Sequence, residues 1–226
     1  WQVTGEARYR NALEATLDHV LADLRSPDGA FYSALDADSI DDRGHRTEGA
    51  YYTWDPVAFD RLAARHPMLG EMFDLAGLEE LGGVGALYLP DQPEDRDLDQ
   101  AMAALAVLRD QREARTMPKV DRKIVLSWNA MMIETFAKAG HSLDQPAYTA
   151  AARRAADFVA KSMTTPSGLH RISYEGTTGV PAQVSDYASL GLAFVALHDT
   201  ATNPEYAQED LAQALHDEPE ILPKLR

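Results

Sequence analysis

The fold turns on the stretch Tyr9-Arg10-Asn11-Ala12-Leu13-Glu14-Ala15-Thr16-Leu17-Asp18-His19-Val20-Leu21-Ala22-Asp23-Leu24-Arg25-Ser26-Pro27-Asp28-Gly29-Ala30-Phe31-Tyr32. Laid over Tyr148 to Arg171, with no gap, it repeats itself. Tyr9 falls on Tyr148, Ala12 on Ala151, Asp18 on Asp157, Val20 on Val159, Pro27 on Pro166 and Gly29 on Gly168. Each copy reads as an amphipathic helix closed by a Pro-x-Gly turn. Proline cannot continue a helix, and glycine supplies the positive φ that such a turn needs.

A second self-match works outward from the first. It places Ala188 on Ala130, Phe194 on Phe136, Pro204 on Pro146 and Tyr206 on Tyr148. An apolar helix (Trp128 to Ala139, then Tyr187 to Thr200) leads each time to a polar loop and a Pro-x-Tyr helix start. Proline in a first turn is harmless, because that N–H has no helical partner. Thr4-Gly5-Glu6-Ala7-Arg8-Tyr9 reads as the tail of an earlier copy of the same joint. The unit is therefore a helical hairpin of roughly 60 residues, and such units stack to bury a shared core.

The remaining segments fit this scheme. Asp55-Pro56 opens a helix to about His66, and Met68 to Ala76 reads as another. Leu78 to Arg96 is a long loop rich in glycine, proline and acids. Asp97 to Arg115 is a helix with Met102, Leu105, Ala106 and Leu108 on its apolar face. Gly29 to Tyr52 and Leu169 to Ala182 have strand-like ends and are expected to form short hairpins on one rim. The expected fold is all-α: an incomplete (α/α) toroid of helical hairpins. Residues 1–226 form one partial domain in this reading, cut at both ends and open as an arc.

Composition narrows the function. The chain has 226 residues, 45% of them hydrophobic, and no run approaching the roughly 18 apolar residues of a membrane span. Trp1-Gln2-Val3-Thr4-Gly5 reads as no secretory leader. With no cysteine in the chain, disulfides, thiolate metal sites and a cysteine nucleophile are excluded, which favours a reducing, cytoplasmic setting. The net charge of −15, from 36 acids and 21 bases, argues against a nucleic-acid partner, which needs a basic patch.

Three loops carry candidate chemistry. In the first, Asp36 and Asp38 alternate along an extended segment, so both carboxylates face one side. Glu48, Tyr51 and Trp54 return on the partner strand. Acids beside aromatic faces suit a sugar, whose hydroxyls meet carboxylates and whose C–H face stacks on rings. A solvated acidic turn with its aromatics anchored in the core accounts for the same residues. Asp36, Asp38, Asp41 and Asp42 resemble a calcium loop in composition, but the glycine and terminal glutamate are misplaced.

In the second loop, Asp121, Arg122 and Lys123 precede an apolar helix with Trp128-Asn129 in its first turn. Buried Asn and Trp N–H groups need partners, so such a pair often specifies a site. Helix capping by Asp121 and Ser127 is the plainer alternative. In the third, Ser185-Asp186-Tyr187 opens the next helix, where Ser185 or Asp186 serves as a cap. His170 and Arg171, in the hairpin before it, could supply a base or a cation. None of the seven histidines pairs at metal spacing, which argues against a zinc site; no metal is expected, and no cofactor either.

Together these loops resemble a known family. Gly29-Ala30-Phe31-Tyr32-Ser33-Ala34-Leu35-Asp36-Ala37-Asp38-Ser39, Glu48-Gly49-Ala50-Tyr51-Tyr52-Thr53-Trp54, Asp121-Arg122-Lys123 with Leu126-Ser127-Trp128-Asn129, and Asp186-Tyr187-Ala188 are similar to the thioredoxin-domain-containing proteins of the YyaL and spermatogenesis-associated type. The likeness is to the helical region that follows their thioredoxin domain. It implies the toroid of six-hairpin glycosidases and N-acylglucosamine 2-epimerases, and by analogy of fold a carbohydrate-related role. Where the family shows Asp-Asp-Lys, this chain has Asp121-Arg122-Lys123, and Ile40 to Thr47 is a charged insert.

The leading expectation is thus a carbohydrate-active domain, hydrolase- or epimerase-like in its complete form. Asp36, Asp38 and Asp121 would act as acid and base. Glu48, Tyr51, Trp54, Lys123, Trp128, Asn129, His170, Arg171, Asp186 and Tyr187 would hold a carbohydrate or small ligand. The alternative is a non-catalytic helical scaffold that presents protein partners to a thioredoxin domain.

Overall fold

The computed structural model describes residues 1–90 and 98–200. The expected helix start at Asp97, the end of the Leu78–Arg96 loop, the Pro204-x-Tyr206 joint and the segment 210–226 lie outside them. The all-α expectation is corrected. The structure is about 52% helix and 19% strand, with several antiparallel sheets, so it is a mixed fold and not plainly an all-α toroid. Segments read as rim loops pair as strands of two to seven residues.

The chain packs as two compact units. The first comprises Trp1, Val3–Ala12 and Leu35–Lys119; the second comprises Gln2, Leu13–Ala34 and the described residues from Val120 onward.

In the first unit, Pro56–Arg65 is helical, with Asp55 as cap: its carboxylate accepts the Ala58 N–H at 2.9 Å. The helix expected over Met68 to Ala76 splits into Pro67–Met72 and a strand, Asp74–Ala76. That strand pairs with Gly85–Tyr88, which pairs in turn with Thr53–Trp54. Part of the supposed loop after Leu78 is therefore sheet. Gly85 is required there, because a Cβ would lie 2.8 Å from the Leu75 Cβ. The sheet and helices close over a core of Trp54, Phe59, Leu62, Leu69, Phe73, Ala104 and Leu108.

The helix Leu98–Glu113 buries Ala101, Ala104 and Leu108, one apolar stripe at helical spacing. Of the face expected from sequence, only Leu108 is buried; Met102 and Leu105 are exposed. Small alanines set the contact because they allow the helix axis to approach the core.

In the second unit, the helix Leu126–Ser142 packs against both Pro146–Ser162 and Val184–Asp199. Phe136 stacks on Phe31 with ring centroids 5.2 Å apart and meets the Tyr148 edge at 5.6 Å. Gly140 lets the first two helices close up, since any Cβ there would strike Thr149. The strand Gly168–Tyr174 pairs with Thr177–Pro181, Ile124–Val125 and Thr164–Thr165. Val125 sits opposite Ile172 and Pro181 opposite His170, and the two apolar helices start just beyond. Their first turns thus emerge beside the same strand.

The longer repeat is visible as geometry. Gly29 and Gly168 both take positive φ, 96° and 111°, and close matching turns. Arg25 bridges Phe31 in one copy, and Thr164 pairs with Leu169 in the other. The Tyr148 hydroxyl donates to the Asp18 carboxylate at 2.7 Å, tying the two copies together. Burial, then that carboxylate, pushes the pKa of the Tyr148 phenol above its ordinary value. One difference stands out: the first copy's helix ends in a π-helical turn, Val20–Leu24, where the second stays α-helical.

Candidate functional site

Asp36, Asp38, Glu48, Tyr51 and Trp54 lie in the first unit. Strands Asp38–Ile40 and Arg46–Glu48 form a hairpin in which Asp38 opposes Glu48. Asp36 accepts the Asp38 N–H at 3.1 Å, a local turn that sets both acids on one side. Arg46 then reaches back from the charged insert. Its Nε binds Asp38 Oδ2 at 2.8 Å and its Nη2 binds Asp36 Oδ2 at 2.8 Å. One guanidinium fork thereby holds both candidate catalytic carboxylates. At the hairpin tip, Asp41 accepts from the His45 and Arg43 N–H groups. The His45 N–H, as the stronger influence, lowers the Asp41 pKa.

Of the aromatics of this loop, Tyr51 and Trp54 face inward and Tyr52 is exposed. Tyr51 is buried, with the Arg112 guanidinium 5.2 Å from its ring. Trp54 is also buried, edge-on to Phe59 and covered by Arg115 at 4.3 Å. Arg115 donates through Nη1 to the carbonyls of Ala50, Tyr51 and Thr53, the last at 2.6 Å. Burial lowers the Arg115 pKa from its ordinary value.

The other candidates lie in the second unit. Lys123 binds Asp121 twice: the ammonium lies 2.9 Å from Oδ2 and the backbone N–H 3.2 Å from Oδ1. The ammonium hydrogen bond, above all, holds the Asp121 carboxyl below the usual range. Asn129 is buried, exchanging hydrogen bonds with the Phe31 backbone and donating to the Val125 carbonyl. Trp128, one residue earlier, is 50% exposed.

The third loop is organised around Asp186, which is fully buried. The helix cap is Gln183, not Ser185 or Asp186. Asp186 sits three residues on and closes a capping box by accepting the Gln183 N–H at 2.8 Å. Its Oδ2 lies 3.6 Å from Arg171 Nε, while Oδ1 has no hydrogen-bond partner. Tyr187 is half-buried. The His170 Nε2 meets the Thr165 hydroxyl at 2.9 Å, and its Nδ1 is buried without a partner.

Within the second unit, then, Trp128, Asn129, Asp186, Tyr187, His170 and Arg171 converge on two helix starts and the strand beside them. Helix starts favour negative or hydroxyl-rich ligand atoms. Among the described residues, no three His, Asp or Glu side chains are placed to hold a metal ion. Sequence reading missed Arg46, Arg115, Gln183 and Ser26. An arginine in a charged insert signals little by itself, and Ser26 was read only as part of a turn.

No family model matches the chain. It is similar to spermatogenesis-associated protein 20 of Mus musculus, 26% identical over 92% of this chain and 32% of that protein. Against the Homo sapiens protein of the same name it is 28% identical, covering 79% of this chain and 27% of that one. An uncharacterised Caenorhabditis elegans protein is 26% identical over 80% of the chain and 30% of its own length. These likenesses support the spermatogenesis-associated part of the resemblance drawn from the loops. The chain spans about a third of the length of the curated relatives it matches. No helix among the described residues is long and apolar enough to cross a membrane.

Proposed function

We propose that this chain contributes carbohydrate recognition to a longer, carbohydrate-active protein, centred on the helix starts of the second unit. The observation that carries the reading is the half-exposed Trp128 indole in the first turn of Leu126–Ser142. Trp54, by contrast, is sealed in a core. An exposed ring of that size offers a flat apolar face to a sugar's C–H face. The Asp121–Lys123 pair leads into the same helix and offers a hydroxyl acceptor beside a donor. In a hydrolase- or epimerase-like reaction, the depressed pKa of Asp121 keeps it ionised at neutral pH. It therefore suits a stabiliser of positive charge rather than a proton donor. Asp36 and Asp38, in the first unit, are both engaged by Arg46. By the family resemblance, we assign the longer protein a thioredoxin domain, and from the absence of cysteine a cytoplasmic setting.

The test is tryptophan fluorescence of the chain titrated with mono- and disaccharides, beside Trp128→Phe. A saturable change that the variant loses supports the reading. A flat response from a cooperatively folded chain rejects it. A second reading, a scaffold for protein partners, is favoured by Met131, Leu192 and Val195, all more than half exposed on two packed helices. Peptide capture that is indifferent to sugars and survives Trp128→Phe would favour the scaffold.

A further inference from the structure

A different part of the second unit carries an unexplained polar atom. Ser26 is buried, and its Oγ has no hydrogen-bond partner. A buried hydroxyl left unpaired costs free energy and calls for an explanation. The repeat supplies the control. Thr165 occupies the equivalent place, and its hydroxyl is fully engaged: with His170 Nε2 at 2.9 Å, Ser167 Oγ at 2.8 Å and the Gly168 carbonyl at 3.3 Å. In the first copy Phe31 stands where His170 would be, so the same hydroxyl is orphaned.

Ser26 lines a cleft of about 510 Å³, with Arg25 and Arg154 beside it and no acidic residue in its wall. Among the described residues neither arginine forms an ion pair, although acids outnumber bases 36 to 21 in the chain. The cleft also borders the π-helical turn Val20–Leu24, absent from the second copy; such turns recur at functional sites. Ser26 lines a second cleft too, of about 530 Å³. There Tyr32 and Thr178 line the wall with hydroxyl-bearing side chains, Arg122 and Lys161 add cations, and Asp28 and Glu175 add acids.

We propose that Arg25, Arg154 and Ser26 bind the phosphate of a small phosphorylated polyol, whose hydroxyl-bearing body lies in the second cleft. Guanidinium forks match phosphate oxygens in pairs, and the Ser26 hydroxyl would gain the partner it lacks. Both clefts fall in the size range of small-molecule sites. This site shares no residue with the Trp128 surface and does not depend on it.

The experiment is isothermal titration calorimetry of the full chain with glucose 6-phosphate, glucose and inorganic phosphate at about 0.15 M salt, where unspecific attraction is screened. Glucose 6-phosphate should bind saturably at one site, inorganic phosphate more weakly, and glucose not at all. The double variant Arg25→Gln, Arg154→Gln should weaken binding at least about tenfold, the scale of losing charge-assisted bonds. Its melting temperature should hold, because both side chains are exposed and form no ion pair among the described residues. Ser26→Ala should weaken binding without loss of folding, since it removes a hydroxyl that has no partner in the free protein. Undiminished binding by the double variant would overturn the proposal, as would heats no larger than those of sodium sulfate. Tighter capture of a phosphoserine peptide than of glucose 6-phosphate would overturn the small-molecule assignment.

Discussion

Asn129 and Phe31 are joined by a two-way exchange: the Phe31 N–H donates to Asn129 Oδ1 at 2.7 Å, and Asn129 Nδ2 donates to the Phe31 carbonyl at 2.9 Å. A side-chain amide here imitates a strand, pinning the Phe31 backbone to the first turn of a helix 98 residues away. Phe31 then stacks on Phe136 of that helix. Asn129→Ala would strand the Phe31 N–H and carbonyl in the interior. We expect it to cost about 2–4 kcal/mol, read by urea denaturation. Wild-type stability would show that these bonds are replaceable and leave the amide available to a ligand.

Arg115 does comparable work in the first unit, under Trp54 and against three carbonyls. Arg115→Met keeps much of the apolar stem but removes every donor. We expect a loss of about 2–3 kcal/mol, and a shift in Trp54 emission as its charged cover leaves. Arg115→Lys should recover less than half of the loss, because one ammonium cannot reproduce a planar fork. Full recovery would mean that charge alone matters at this position.

Legibility followed chemistry that is local in sequence. The repeat could be read because Pro27-Asp28-Gly29 and Pro166-Ser167-Gly168 demand the same turn, and both glycines take the required φ. The Asp55 cap followed equally from one residue and the proline after it. Strands such as Thr53–Trp54 and Ile124–Val125 were not legible, since two residues show no period and pairing partners lie far along the chain. The helix Leu98–Glu113 was read by its larger apolar residues, while packing selected Ala101 and Ala104. At the candidate site, composition picked out the acids and aromatics. It could not show that Arg46 would fork across Asp36 and Asp38, or that Trp54 and Trp128 would differ so sharply in exposure.

The Asp121–Lys123 pair sets a pH dependence with a definite sign. The folded pKa of Asp121 lies below its unfolded value, so the fold favours the ionised form. The associated stability is present above the ordinary carboxylate value of about 3.9 and is lost as pH falls through the folded pKa. Lys123→Met should therefore lower unfolding free energy at pH 7, with the gap closing in acid. The gap should be under about 1 kcal/mol, since both groups are over a third exposed. In a carbon-detected NMR titration, the Asp121 midpoint should rise in the variant. An unmoved midpoint would show that Lys123 does not control this carboxylate.

Two glycines of the second unit separate backbone strain from collision. Gly29 and Gly176 both hold positive φ, 96° and 77°. A Cβ on Gly176 would meet nothing within 4 Å, whereas one on Gly29 would lie 2.8 Å from Arg154 Cβ, an atom fixed to its helix backbone. Gly176→Ala should cost about 1–2 kcal/mol, the strain of a left-handed alanine. Gly29→Ala carries the same strain and must also push away the helix Pro146–Ser162, adding about 1–3 kcal/mol of overpacking. Paired urea denaturation curves decide the matter. Equal losses would mean that the helix yields freely at Arg154, and that the turn is held by its own backbone conformation rather than by close packing. A larger loss for Gly29→Ala would place the first repeat's turn among the fixed points of the unit, with Arg154 held against it by contact.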